Sequence, residues 1–308
     1  MLTIGLERRG SGSIAMVRGL DPTRALDAAD FARMLAALGE HGVLCCPDQH
    51  IDARSLANFS AQFGTLHYSS VNAHCAPGVP QVTVLSNIMQ DGQRIGVHDA
   101  GQEWHTDSSY TRPVGFAITL LARQVPLRDG RPRGATEFAN TQAAWRDLPD
   151  DLKTSLATAT ATHSLPWYWE FMRTVRGSQR APMTAEQQAQ LPPTSQPVFM
   201  THPVTGNKVI YVNPSLTEKI DGMEPAESRR TLDRLYAHIL QDRYRYVHEW
   251  RVGDLVLCDL IGTWHYAVAD YGPDEPRLVE RCQVLGDKAL DPAFVAAALR
   301  GLPGREVR

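Results

Sequence analysis

The feature that most restricts the fold is a train of short apolar runs, each ended by turn residues before it reaches the length of a stable helix. VTVLSN from Val82, FAITLLARQV from Phe116 and MTHPVTGNKVIYVN around a Gly206-Asn207 turn are followed by YRYVHEW, DLVLCDL and RLVERCQVLGD. FAITLLARQV alternates poorly, which predicts a strand buried on both faces. The turns are supplied by 20 Pro and 23 Gly. Helical spacing is clear in only three places. Asp27 to Leu38 carries Phe31, Met34, Leu35 and Leu38 and is predicted to stop at Gly39, ahead of a short GVLCCPD strand. Asp52 reads as the N-cap of a second helix through Phe63, ended by Gly64. From Ala226 to Leu240, Leu232, Leu235, Tyr236, Ile239 and Leu240 fall on one stripe. Early helices, many short strands and one late helix predict an α+β chain, mostly β, with an antiparallel double sheet clad by helices.

No repeat, low-complexity tract or linker divides the chain, so a single domain over residues 1–308 is expected. A weakly periodic, polar excursion from His163 to about Pro197 contains WYWEF and TAEQQAQLPPTSQP. At that length it is either a lid or a disordered segment. A net charge of −3, from 31 Lys+Arg and 34 Asp+Glu, argues against a nucleic-acid partner. No apolar stretch approaches the roughly 20 residues of a membrane helix. MLTIGLERRGSGS has no apolar signal core, so a cytoplasmic location is expected. The oligomeric state is not readable, and a homo-oligomer stays open. Cys45, Cys46, Cys75, Cys258 and Cys282 are odd in number and lack CxxC spacing, which excludes a zinc ribbon or disulfide framework. Cys45-Cys46, Cys258 and Cys282 read as packed thiols.

The strongest chemical signal is His105-Thr106-Asp107 in EWHTDSSY. On an extended segment, residues two apart point to the same side, so an imidazole and a carboxylate can converge on one cation. Two His and one carboxylate leave three open positions on an octahedron, the arrangement of non-haem Fe(II) oxygenation. An imidazole merely hydrogen-bonded to the carboxylate is the alternative. A second His must then come from elsewhere, and His265 in LIGTWHYAVADY is the best candidate. Beyond it, Arg277 and Arg281 sit four apart on one strand and share a face. Two guanidiniums there require anions, supplied either by a ligand or by Asp270, Asp274 or Glu280.

Taken together, WHTD at 104–107, GATEFANTQAAWRDLP at 134–149, THPVTGNKVIYVN at 201–213, HYAVADY at 265–271 and RLVERCQVLGD at 277–287 resemble the taurine/2,4-dichlorophenoxyacetate dioxygenase family. The resemblance runs from about Gly42 to Asp287. It implies a double-stranded β-helix (jelly roll) with His105, Asp107 and His265 as Fe(II) ligands. It implies that Arg277 and the Thr136 hydroxyl bind the distal carboxylate of 2-oxoglutarate, with O2 as the second co-substrate. Arg281 matches the residue that meets the substrate's anionic group. The implied reaction hydroxylates a substrate carbon, with cleavage where that carbon bears a heteroatom, and converts 2-oxoglutarate to succinate and CO2. No catalytic residue beyond the metal ligands is implied. A jelly-roll protein that binds metal or a small anion without turnover is the rival. A zinc hydrolase would leave Arg277 unexplained.

Departures from the family bear on the substrate. FGTLHYSSVNAH puts Ser69 and Asn72 where relatives of the taurine enzyme carry His and Tyr, and Gly101 replaces an amide residue. These changes argue against taurine. With Arg281 for the anion and Trp167 heading an aromatic lid wall, the expected substrate is a small organic acid bulkier than taurine: a carboxylate, sulfonate or sulfate ester. Cys258-Asp259-Leu260 replaces Trp-Asp-Asn before His265, and the loop LRDGRPRGAT is longer than usual. His67, His74, His98, His163 and His202 are assigned surface or hydrogen-bonded roles.

Overall fold

A computed structural model describes residues 2–9, 12–68, 74–178 and 181–302; Ser69 and Asn72 lie outside the described residues. The architecture is mostly sheet with helices. The large sheet has eight strands, in the order Thr3–Arg9, Gly12–Arg18, Val43–Cys46, Leu255–Asp259, Gly115–Gln124, Leu278–Leu285, Val79–Ser86 and Cys75–Ala76. Neighbours run antiparallel except Gly12–Arg18 beside Val43–Cys46.

Gly115–Gln124 lies inside this sheet and is buried from Gly115 to Ala122, as its unbroken apolar run predicts. Phe116 and Leu121 join one core cluster with Met34, Leu35, Leu38, Leu56 and Phe59 of two helices, Ala28–His41 and Ala53–Ser60. Ile118 and Leu120 point the other way, into a cluster with Val256, Val279, Phe138 and Tyr246. The last two come from a three-stranded sheet, Arg245–His248, Thr136–Asn140 and Thr263–Ala267. Each fully buried Leu or Phe contributes about 1.5–3 kcal/mol to holding these layers together. A third cluster lies on the far side of the small sheet, where Trp264 packs with Leu232, Leu235 and Ile239 of the predicted late helix, Pro225–Ile239.

Several boundaries differ from the sequence reading. The first helix does not stop at Gly39; it ends at Gly42, which has φ 74° and donates its N–H to Leu38 O. Gly39 is a close-approach position, because a Cβ there would lie 3.0 Å from the Val204 side chain. The second helix is capped by Asp52 as predicted but ends at Ser60, short of Gly64. Gly64 instead packs against the Leu285 carbonyl, which its Cβ would approach to 2.5 Å. The hairpin Thr3–Arg9/Gly12–Arg18 was not foreseen; its second strand alternates Ile14 and Met16 into one core with Ala15 and Val17 into the other.

The excursion is ordered at its base. Thr160–His163 pairs with Thr194–Pro197, Thr160 opposite Pro197 and His163 opposite Thr194. Between them stand two helices, Leu165–Thr174 and Ala185–Gln190. Ser164 caps the first by accepting from Trp167 N at 3.1 Å. The Gly206 hairpin forms as predicted, from Phe199–Thr201 and Lys208–Ile210.

Candidate metal centre and co-substrate cleft

His105 and His265 are joined through the backbone before their side chains meet. His105 N donates to His265 O at 3.1 Å, and His265 N donates to His105 O at 2.8 Å. On Thr263–Ala267, Trp264 faces the outer core and His265 the cleft, the period-two alternation of a strand. The imidazole centroids are 4.0 Å apart. Asp107 completes the group: its Oδ1 is 3.6 Å from His105 Nε2 and its Oδ2 is 4.0 Å from His265 Nε2. Thr106, between the two, turns away and donates its hydroxyl to Leu260 O at 2.5 Å.

These groups suit a divalent cation. Glu103 O lies 2.8 Å from His105 Nδ1 and accepts from it, so Nε2 is the ring nitrogen turned toward Asp107. Burial, reinforced by His105, holds His265 well below the usual imidazole range, so it is neutral. Burial opposes ionisation of Asp107, yet Arg281, and after it His105 and His265, bring its pKa to about 2. The result is one carboxylate and two imidazoles brought together, with the ligand atoms within 4.8 Å of one another. Asp259 is the residue that Cys258-Asp259-Leu260 shares with the family's Trp-Asp-Asn. Its carboxylate accepts from Ile261 N, Gly262 N and His202 Nε2 at 2.9, 2.8 and 3.0 Å. It therefore fixes the turn that leads into the His265 strand and supplies the Leu260 carbonyl that Thr106 grips. His265 Nδ1 itself is buried without a hydrogen-bond partner among the described residues.

Arg277 is buried and donates from Nε to Gly134 O at 3.2 Å. No carboxylate lies within ion-pair distance of it among the described residues. The acids weighed as partners are engaged elsewhere or apart: Asp270 is 3.4 Å from Arg133, and Glu280 is 2.6 Å from Arg123. Burial lowers the Arg277 pKa, partly offset by Tyr271, over whose ring the guanidinium lies at 5.8 Å. An unpaired buried cation is costly, and an anion entering the cleft removes that cost. Thr136 is buried nearby and accepts from Trp250 Nε1 at 3.0 Å, which leaves its own O–H proton to donate. The long loop braces this corner. Arg128 pairs with Glu275 at 2.5 Å, and Gly134 N donates to Asp270 Oδ1 at 2.7 Å.

One cleft is lined by His105, His265, Thr136, Arg277 and Arg281, with Leu85, Ile118 and Val279 as apolar wall. Arg281 faces Asp107 at 3.2 Å, while its Nε is buried without a partner among the described residues. The assigned roles of the other histidines divide. His163 bonds to Ser109 Oγ at 3.0 Å and His202 to Asp259, as hydrogen-bonded residues. His98 instead lines the cleft. His67 is half-buried, and the Arg281 charge assists burial in lowering its pKa. Tyr110 was missed; burial, then Asp107, pushes its phenol up to about 12. Trp167 stacks on Phe171 with centroids 5.9 Å apart and is not among the cleft-lining side chains.

Residues 8–283 match the family described as "Taurine catabolism dioxygenase TauD, TfdA family". The chain is 30% identical over 295 residues to pentalenolactone F synthase of Streptomyces avermitilis, covering 92% of this chain and 94% of that one. It is 28% identical over 256 residues to an alpha-ketoglutarate-dependent 2,4-dichlorophenoxyacetate dioxygenase of a Burkholderia species, covering 80% and 82%. Among solved structures, AAD-2 in complex with Mn(II) and N-oxalylglycine superposes with a TM-score of 0.76 at 28% identity, covering 92% of this chain and 98% of that one.

Proposed function

This chain belongs to the taurine catabolism dioxygenase TauD, TfdA family of 2-oxoglutarate-dependent oxygenases, and from that premise we propose that it hydroxylates a small organic acid in the cleft between its two sheets. The family uses Fe(II) and 2-oxoglutarate (alpha-ketoglutarate), and its relatives are catalytic, which sets aside the non-catalytic rival. In this reading the two layers are a jelly roll within a single domain, residues 163–197 form a lid, and the protein works in the cytoplasm.

His105, Asp107 and His265 would hold the metal, and Arg277 with Thr136 the far carboxylate of 2-oxoglutarate. The observation that carries the assignment is Arg277: a buried guanidinium with no carboxylate partner among the described residues, opening onto the cleft that holds the three ligands. Its planar fork matches a carboxylate bidentately. When bound, Fe(II) and 2-oxoglutarate supply oxidative chemistry in which one O2 atom enters the substrate and the other enters succinate as CO2 leaves.

The protein's own part is geometry and electrostatics. Thr106 and Leu260 tie the two ligand segments together, so the imidazoles and carboxylate keep their spacing. Arg281 keeps Asp107 ionised and retains an unused Nε–H, which can meet a substrate anion. The apolar wall excludes water from the reacting carbon. The Burkholderia relative's substrate, 2,4-dichlorophenoxyacetate, is an aromatic carboxylate, the class that an arginine beside apolar surface would take. Gly101 adds room, because its position carries no side chain beside His105 Cε1. Ser69 and Asn72 are proposed as substrate contacts in place of the taurine-type pair, and Trp167 as part of the lid.

The test is substrate-dependent succinate release with Fe(II) and 2-oxoglutarate across aromatic carboxylates, alkyl sulfates, sulfonates, taurine and neutral isosteres. Stimulation by the bulkier acids, lost in Arg281→Ala, supports the assignment. Taurine as the best substrate, or neutral isosteres that match the acids, contradicts it.

A further inference from the structure

The segment just after the Leu165–Thr174 helix touches the loop in front of His105 at two points. Arg176 Nε lies 2.6 Å from Glu103 Oε1, and Ser178 Oγ lies 3.3 Å from Asp99 Oδ2. That loop is cleft wall: His98, Ala100, Gly101 and Gln102 all line the cavity. It is also tied to the metal ligands. Gly101 O accepts from Ala267 N at 2.8 Å, two residues beyond His265, and Glu103 O faces His105 Nδ1 at 2.8 Å. Glu103 thus has two engagements of different kinds. Its side chain meets the excursion, and its main chain sets the ring orientation of a ligand imidazole.

We propose that Arg176 and Glu103 form a latch through which the excursion holds the 98–103 wall in place and orients His105, with Glu103 as a positioning residue. The excursion is suited to this. Its base is fixed by the Thr160–His163/Thr194–Pro197 strand pair, so its helical part is anchored at a paired root. The Arg176 guanidinium lies 5.7 Å from the Phe171 ring, which aligns it toward Glu103. Gly177, at φ 68°, lets the chain turn directly after Arg176 so that Ser178 reaches Asp99. Half of the Arg176 side chain and a quarter of Glu103 stay exposed. A pair in that setting adds little to global stability, which fits an element that opens and closes.

The latch rests on the reading of His105 as a ligand only for its effect on the metal, so two measurements separate the claims. The first is amide hydrogen exchange of residues 98–103 in wild type, Arg176→Ala, Arg176→Lys, Arg176→Glu, Glu103→Arg and the combined Arg176→Glu/Glu103→Arg chain. Exchange should rise about three- to fivefold in Arg176→Ala and in each single reversal, the upper range for a partly exposed pair. It should return toward wild type in Arg176→Lys and in the double reversal. The second is the visible band of the anaerobic Fe(II)–2-oxoglutarate complex, which should shift in Arg176→Ala and be restored in Arg176→Lys. Unchanged exchange in Arg176→Ala, or a double reversal no better than the sum of its singles, overturns the latch. Altered exchange with an unmoved band keeps the latch over the wall and overturns the positioning of His105. Absence of any band in wild type refutes the functional reading and leaves the exchange test standing.

Discussion

Arg281 Nη1 lies 3.2 Å from Asp107 Oδ2, which joins the last strand of the large sheet directly to the carboxylate of the proposed metal centre. Four residues earlier on the same face, Arg277 has no such partner among the described residues. Two arginines that look equivalent in sequence therefore differ in what they lack. Arg277 needs a whole anion. Arg281 already has one shared with the metal site, and offers a substrate only what Asp107 leaves free.

The difference predicts separable losses. Arg277→Leu should weaken 2-oxoglutarate binding by about 2–5 kcal/mol, the cost of truncating one partner of a buried charge pair. Arg281→Leu should spare the co-substrate and raise the KM for the acid. Titration of 2-oxoglutarate into each variant decides it, and the reverse pattern would mean that the two roles are exchanged.

Gly134 is tested by adding one carbon. Its φ of 70° is left-handed, and a Cβ would sit 2.8 Å from Arg277 Cδ and Nε. Gly134→Ala should cost about 1–2 kcal/mol in backbone strain and displace the Arg277 stem. Urea melts should show that loss, and 2-oxoglutarate affinity should fall together with it. Unchanged affinity would mean that Arg277 is not positioned by this contact.

Thr106→Val should remove the grip on Leu260 O while keeping the side-chain shape. A buried carbonyl left unpaired costs about 1–3 kcal/mol. Chemical denaturation should report that cost, and metal affinity should drop more than in a surface control such as Thr174→Val.

His163 gives a pH signature. Burial lowers its pKa to about 4, whereas an unfolded His titrates near 6.5. Between those values the unfolded chain takes up a proton that the folded chain refuses. Stability should fall as pH drops from about 6.5 to about 4, by on the order of 3 kcal/mol, and stay level on this account above and below that window. His163→Gln should flatten the slope of unfolding free energy against pH in that window. An identical slope in the variant would show that His163 is not the group responsible.

Much of this arrangement was legible because strands and ligands announce themselves locally. The Gly115–Gln124 run, the Gly206 hairpin and the stripe of the Pro225–Ile239 helix follow from period and turn chemistry alone. The HxD pair was readable because alternation on an extended segment is a geometric necessity. What escaped depended on distant packing. Gly39 and Gly64 look like helix stops until Val204 and Leu285 are found against them. Tyr110, His67 and Trp250 carry no periodic or spacing signal, and gain meaning only when three strands and a loop converge. The Arg176–Glu103 pair joins the 98–103 loop to an excursion whose polarity fits either a lid or a disordered segment until its base is seen to be a pair of strands.

The central claim is that His105, Asp107 and His265 bind Fe(II) with 2-oxoglutarate chelated beside them, and one anaerobic titration tests it most directly. Wild-type protein given Fe(II) and then 2-oxoglutarate without oxygen should develop a weak visible charge-transfer band. His105→Ala and His265→Ala, each shown to be folded by circular dichroism, should not. A band of undiminished intensity in both variants would contradict the assignment of these residues as the metal centre.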